Sequence, residues 1–362
     1  MATTWFYIYF LALISPILLI ILNLPSSFGE KNPTSLFIFG DSLYDAGNNN
    51  YFLTPLRVNH WPYGETYFHF PTGRTSNGRL IPDFIAEYAK LPLIPPCLQP
   101  GISYNYGVNF ASLGAGALQE TNKGSVISLN IQLSYFKNVE KNLRHKLGGE
   151  EAKRFLSKAV YIFSIGTNDY NSKTTPIPFH SQEEYVGMVI GNLTNVIKGI
   201  YNKGGRKFGI LNLVAKGCFP VARALRSAGS EGSCMDEFST ARKLHNTALS
   251  KVLVELERQL KGFKYSETDF YTAFSERINN PSKYGFKEAK TACCGSGPYR
   301  GLGGCGGNNK YELCDTPDDY LFFDPAHPSE KANEQFAKLM WSGNSPLIWP
   351  YNLKTLFELQ TQ

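Results

Sequence analysis

Five short apolar runs rich in β-branched and aromatic residues recur along the chain, at 35–39, 107–111, 160–165, 208–213 and, more weakly, 263–267. Segments with helical spacing lie between and after them, at 81–91, 129–147, 183–203, 235–260 and 328–341. Pro82 stands near a first helical position, and the last segment opens at Pro328 or Ser329. Strands that alternate with amphipathic helices bury their apolar surface best as a mostly parallel sheet covered on both faces. The pattern therefore predicts an α/β protein with a five-stranded central sheet. No internal repeat or low-complexity linker divides it. At 43% hydrophobic and 18% charged, the chain can bury one sizeable core.

The amino-terminal segment stands apart. An apolar stretch runs from Trp5 to about Leu24, and residues 1–29 contain no Asp, Glu, Lys or Arg. Ser27 and Gly29 form a small-x-small pattern, which predicts a signal peptide cleaved after Gly29 and a single mature domain over 30–362. The stretch is also long enough for an uncleaved anchor, since about 20 apolar residues span a bilayer. Secretion to the extracellular space suits the seven cysteines, four of which crowd into "CCGSGPYRGLGGCGGNNKYELC". A long irregular segment has little core to hold it, and disulfides supply the constraint. No histidine lies near that cluster, which argues against a metal site. The odd count leaves one thiol over, and isolated Cys97 is the choice. Asn192 heads a sequon open to glycosylation. The net charge of +6 comes without a basic run, which argues against nucleic acid. It allows weak association with acidic wall polymers or anionic membrane surfaces.

In open α/β sheets, ligands bind at the carboxyl ends of the strands. The residues just past the first three runs are Gly40-Asp41-Ser42, Ser112-Leu113-Gly114-Ala115-Gly116 and Gly166-Thr167-Asn168-Asp169. Together they offer a hydroxyl, backbone N–H groups freed by glycine, and a carboxamide. Those are a nucleophile and the donors of an oxyanion hole. A serine hydroxyl needs a general base, usually histidine. Of six histidines, His60 and His69 sit in an aromatic loop and suit packing. His145 and His245 lie on amphipathic helices among charged residues and read as solvated; His180 precedes a helix it can cap. His327 differs, because Asp324 stands three residues before it in "YLFFDPAHPSE", just past an apolar run. One turn can then present the Asp324 carboxylate to Nδ1 and leave Nε2 for Ser42.

Two decoys are set aside. Residues 301–306 read G-L-G-G-C-G but follow no strand and open no helix, so no dinucleotide site is inferred. Residues 228–232 imitate a nucleophile elbow but follow a helical segment. This chemistry calls for no cofactor.

At this point the chain resembles plant GDSL esterase/lipases of the SGNH hydrolase superfamily. "FIFGDSLYDAGNNN", "VNFASLGAGA", "FSIGTNDY" and "FFDPAHPSE" are similar to its four blocks, in order and spacing. "WPYGETYFHFPTGRTSNGRLIPDFIAEY" and "CCGSGPYRG" are similar to further stretches of the plant enzymes. The resemblance implies a three-layer α/β/α, flavodoxin-like fold and hydrolysis of carboxylic esters, lipid or small-molecule. It implies Ser42 as nucleophile, His327 as base and then acid, and Asp324 as its orienter. The Ser42 and Gly114 N–H groups and the Asn168 amide would form the oxyanion hole, with Gly116 the alternative to Gly114. Asp41 would brace the turn, Asp45 and Asn48 to Asn50 would fix the following helix start, and Arg74 and Arg79 would serve structural pairs. The chain departs from the family where it has Val214, Ala215 and Lys216, at Leu113, and at Pro325. Two rivals share these residues: acyl transfer to an alcohol, and a catalytically silent defence-related binding protein.

Overall fold

Alternation within the first apolar run sets the layers of the molecule. In the computed structural model, which describes residues 34–170, 181–225, 234 and 240–360, that run is β1 (Leu36–Gly40). Leu36 and Ile38 enter the core on one face, Phe37 and Phe39 on the other, as a two-residue period requires. β2 (Gly107–Asn109), β3 (Val160–Ser164), β4 (Lys207–Leu211) and β5 (Lys264–Thr268) complete a parallel array in the order β2-β1-β3-β4-β5. This is the flavodoxin-like order.

The sheet has six strands rather than the five predicted. β6 (Ile348–Pro350) pairs antiparallel with β5 at the edge. Three residues ending in proline carry no strand signature in sequence. Proline is tolerated here because an edge strand need not donate on its outer side.

Helices cover both faces. α2 (Leu129–Leu147), α3 (Gly149–Lys158), α4 (Gln182–Asn202) and α6 (Thr240–Gln259) pack on the Phe37 face. α1 (Ile81–Tyr88), α7 (Phe270–Asn279), α8 (Glu330–Ser342) and α9 (Leu353–Glu358) pack on the Leu36 face. A short helix, α5 (Pro220–Ala224), follows β4. On the Phe37 face, aromatic rings from neighbouring strands stack in register: Phe39 on Phe110 and on Phe163 at 4.9 Å, and Phe208 on Phe263 at 4.7 Å. Such pairs add about 0.5–1.5 kcal/mol each beyond burial. They tie adjacent strands into one rigid platform.

Three disulfides join Cys218 to Cys234, Cys293 to Cys314 and Cys294 to Cys305. Cys97 is a free thiol, donating to Asn48 Oδ1 at 3.2 Å, and burial pushes it up to about 12. The G-L-G-G-C-G stretch lies inside the disulfide-stapled segment. The imitation elbow at 228–232 and His180 lie outside the described residues. Asn192 sits half-buried on α4, its amide donating to Met188 O at 3.0 Å. Among the described residues, no helix is long and apolar enough to cross a membrane.

His245 is not solvated, as its helix suggested. It is buried beside Gly166, with Nδ1 2.9 Å from the Tyr170 hydroxyl. Burial, and then the charge of Arg242, pull its pKa down to about 3. Period counting put it on a polar face because its neighbours Arg242 and Lys243 are charged. Arg242 is itself buried.

Candidate active site

The first strand ends at Gly40, where the chain turns with φ +150, and a Cβ there would lie 2.3 Å from Ser164 O. Only glycine allows β1 to approach β3 this closely while turning out of the sheet. Gln132 of α2 grips the turn, accepting from Gly40 N–H at 2.9 Å and donating to Gly40 O at 2.8 Å and Ile127 O at 2.9 Å. Asp41 N–H donates to Ser164 O at 2.9 Å, and the Asp41 carboxylate accepts from Leu43 N–H at 3.1 Å. Thr75 Oγ1 donates to Ser42 O at 2.7 Å. The backbone of Ser42 is thus held from both sides.

Ser42 Oγ lies 2.8 Å from His327 Nε2, and His327 Nδ1 lies 2.8 Å from the Asp324 carboxylate. A two-residue antiparallel bridge, Phe322–Asp324 with His327–Pro328, presents both side chains on one tight turn. Pro325 sits inside that turn, and its carbonyl accepts from Val221 N–H of α5 at 3.0 Å. Asp324 also accepts from Ala326 N–H at 2.8 Å and from the Tyr63 hydroxyl at 2.7 Å. Burial pushes the Asp324 carboxyl up. The His327 ring, its hydrogen bond, Ala326 N–H and Tyr63 outweigh that and hold it below its ordinary value. It stays an anion at neutral pH.

The second and third blocks close around Ser42. Gly114 lines the same cleft, of about 220 Å³, as do Asn168, Lys216 and His327. Neither the Ser42 nor the Gly114 backbone N–H has an acceptor among the described residues. Gly116 is not among the residues that line this cleft, and a Cβ there would lie 2.4 Å from Asp169 Oδ1. Asn168 Nδ2 donates to Ala115 O at 2.9 Å, which orients its amide at the cleft. Asp169 braces the second block by accepting from Ala117 N–H, Leu118 N–H and the Thr121 hydroxyl.

The acid and amides after Ser42 do more than start a helix. Asp45 accepts from Gly47 and Asn48 N–H, which fixes the start of the following 3-10 turn, Asn48–Tyr51. It also accepts from Leu113 N–H at 2.8 Å. Asn48 donates to Asn109 O and Ala111 O, and Asn49 to Leu113 O and Leu56 O. These bonds lock the β1 turn to the β2 turn. Arg74 forms a buried bidentate pair with Asp83, and Arg79 pairs with Glu330 and Glu87. Tyr63 is the residue that sequence reasoning missed. Its loop read as aromatic packing, and only the distance to Asp324 reveals the bond.

A flavodoxin-ordered sheet with serine, histidine and aspartate converging beside its switch point defines a class: carboxylic ester hydrolases of the GDSL kind. The chain belongs to that family, whose description is GDSL-like Lipase/Acylhydrolase and whose profile matches residues 36–340. It is 54% identical over 341 residues to GDSL esterase/lipase 1 of Arabidopsis thaliana, which covers 91% of each chain. It is 50% identical over 340 residues to the GDSL lipase of Tanacetum cinerariifolium, covering 93% of this chain and 92% of that one. It is also 36% identical over 331 residues to an Arabidopsis thaliana protein named Inactive GDSL esterase/lipase-like protein 25, covering 90% and 75%. Membership is therefore compatible with lost activity, and the side chains in the cleft carry the functional argument.

Proposed function

We propose that this protein is a secreted hydrolase that cleaves carboxylic esters through an acyl-enzyme on Ser42. The observation that carries the reading is the continuous chain of contacts from Ser42 Oγ through the His327 ring to Asp324, at 2.8 Å on each side. His327 Nε2 takes the Ser42 proton as Oγ attacks the ester carbonyl carbon. Asp324 stabilises the imidazolium and keeps Nδ1 protonated. The oxyanion is received by the N–H groups of Ser42 and Gly114 and by Asn168 Nδ2. Collapse expels the alcohol, which takes its proton from His327 Nε2. Water then attacks the acyl-enzyme with the proton steps repeated, releasing the acid and restoring Ser42.

Ser42→Ala is expected to fold normally, lose hydrolysis of p-nitrophenyl esters and lose labelling by a serine-directed fluorophosphonate. Full labelling of that variant would sink the assignment. The apolar segment before Gly29 and the three disulfides support export, because disulfides persist in oxidising compartments. Amino-terminal sequencing of protein recovered from culture medium is expected to begin at Glu30.

A further inference from the structure

We propose that Lys216 selects esters carrying an anionic group close to the scissile bond, an inference that rests on the acyl-enzyme chemistry assigned to Ser42. The cleft wall around Ser42 is largely apolar, contributed by Leu43, Leu56, Leu113, Val214 and Phe219, and among its described lining residues Lys216 is the one lysine or arginine. Its ammonium makes no hydrogen bond or ion pair among the described residues. A partly buried charge without a partner is costly, and a chain retains one where something else completes it.

The segment that carries Lys216 is firmly held. Lys216 N–H donates to Val214 O at 2.9 Å, and Lys216 O accepts from Phe219 N–H at 3.1 Å. Cys218, two residues on, is bridged to Cys234. Val221 N–H donates to Pro325 O, which joins this segment to the turn bearing Asp324 and His327. Lys216 is thus delivered to the cleft by the same packed unit as the base.

The surrounding charges do not neutralise it. Burial, and then the charge of Arg242, bring its pKa down to about 8, so it is mostly protonated at neutral pH. Asp41 and Asp324 act on it through space without pairing with it. Asp324 is already committed to His327, Tyr63 and Ala326. Asp41 accepts from Leu43 N–H, and burial raises its carboxyl to about 7. An anionic oxygen on the substrate would give the ammonium a charge-assisted hydrogen bond where water is largely excluded. The anion can belong to the acyl half or the alcohol half of the ester.

Two matched substrate pairs separate those halves. 4-Acetoxybenzoate against its methyl ester places the charge on the alcohol side. p-Nitrophenyl hydrogen succinate against p-nitrophenyl methyl succinate places it on the acyl side. For wild type, Lys216→Met and Lys216→Arg, kcat/KM is measured on all four. The charged-to-neutral ratio in at least one pair is expected to fall about 10- to 100-fold in Lys216→Met and to recover in Lys216→Arg. The pair that moves names the half. Ratios unchanged in both pairs overturn the proposal; that is the outcome if Lys216 only offsets Asp41 and Asp324, since both members of a pair then slow together. If circular dichroism shows Lys216→Met unfolded, wild type decides. Inhibition of neutral-ester hydrolysis by 4-hydroxybenzoate must exceed that by its methyl ester, or inhibition by monomethyl succinate must exceed that by dimethyl succinate, and equal inhibition within both pairs overturns the proposal. Hydrolysis by Ser42→Ala at the wild-type rate overturns the acyl-enzyme reading and this inference with it. An inert Ser42→Ala with unmoved ratios overturns this inference alone.

Discussion

Asn168 has one structural bond and one proposed catalytic role, which one substitution can separate. Its amide donates to Ala115 O, a structural bond worth about 0.5–1.5 kcal/mol. Its proposed donation to the oxyanion matters most in the transition state, where losing one donor costs about 10²–10³ in kcat. Asn168→Ala is expected to melt only slightly early while kcat collapses and KM stays similar; early melting with near-normal kcat would make it a structural residue. Asp41 makes a different prediction. Burial raises its carboxyl from 3.8 to about 7, opposed by Leu43 N–H and the charges of His327 and Lys216. A folded value above the unfolded one means that the folded state holds the proton more tightly. Its contribution to stability is then full below about pH 4 and lost as pH rises through about 7. Between about pH 5 and about pH 8, the Tm of wild type should fall more than that of Asp41→Asn, and parallel curves would refute this. Ser42, Asp324 and His327 were legible as residues because each follows an apolar run and no rival histidine does. Tyr63 was not, because a tyrosine in an aromatic loop carries no sign of a carboxylate brought close from elsewhere in the chain.

At the scale of elements, β1, β3 and β4 were legible because both faces are buried and their runs are largely apolar, whereas β5, with Lys264, Ser266, Glu267 and Thr268, read more weakly. β6 escaped because an edge strand of three residues lacks that signature. α3 and α7 also went unmarked: α3 has only Ala152 and Leu156 buried, too few to show a period. The coupling between α2 and the β1 turn was invisible for a similar reason. Gln132 is polar on a buried face, yet it satisfies both Gly40 N–H and Gly40 O. Gln132→Leu keeps the volume and strands those groups, one of them a buried donor. Stability is expected to fall by about 2–4 kcal/mol in urea unfolding, with kcat reduced because the turn that carries Ser42 loosens. A neutral result would mean that the Asp41–Ser164 bond alone holds the turn.

Over the whole molecule, the site is assembled from the first strand and from a turn close to the last helices. The Ser42–His327 contact spans 285 residues of sequence. The approach of His327 to Ser42 was expected from the sequence, whereas the bonds that brace the turn, Tyr63 hydroxyl to Asp324 and Val221 N–H to Pro325 O, were not. A chain truncated just before Asp324 is expected to show no fluorophosphonate labelling at Ser42, and labelling at the full-length rate would mean that another base serves. The same separation has a consequence for biosynthesis. Ser42 emerges from the ribosome early, and its base is among the last parts of the chain to be made. On the proposed mechanism, a chain still growing has no base to take the proton of Ser42, so ester cleavage waits until synthesis is nearly complete.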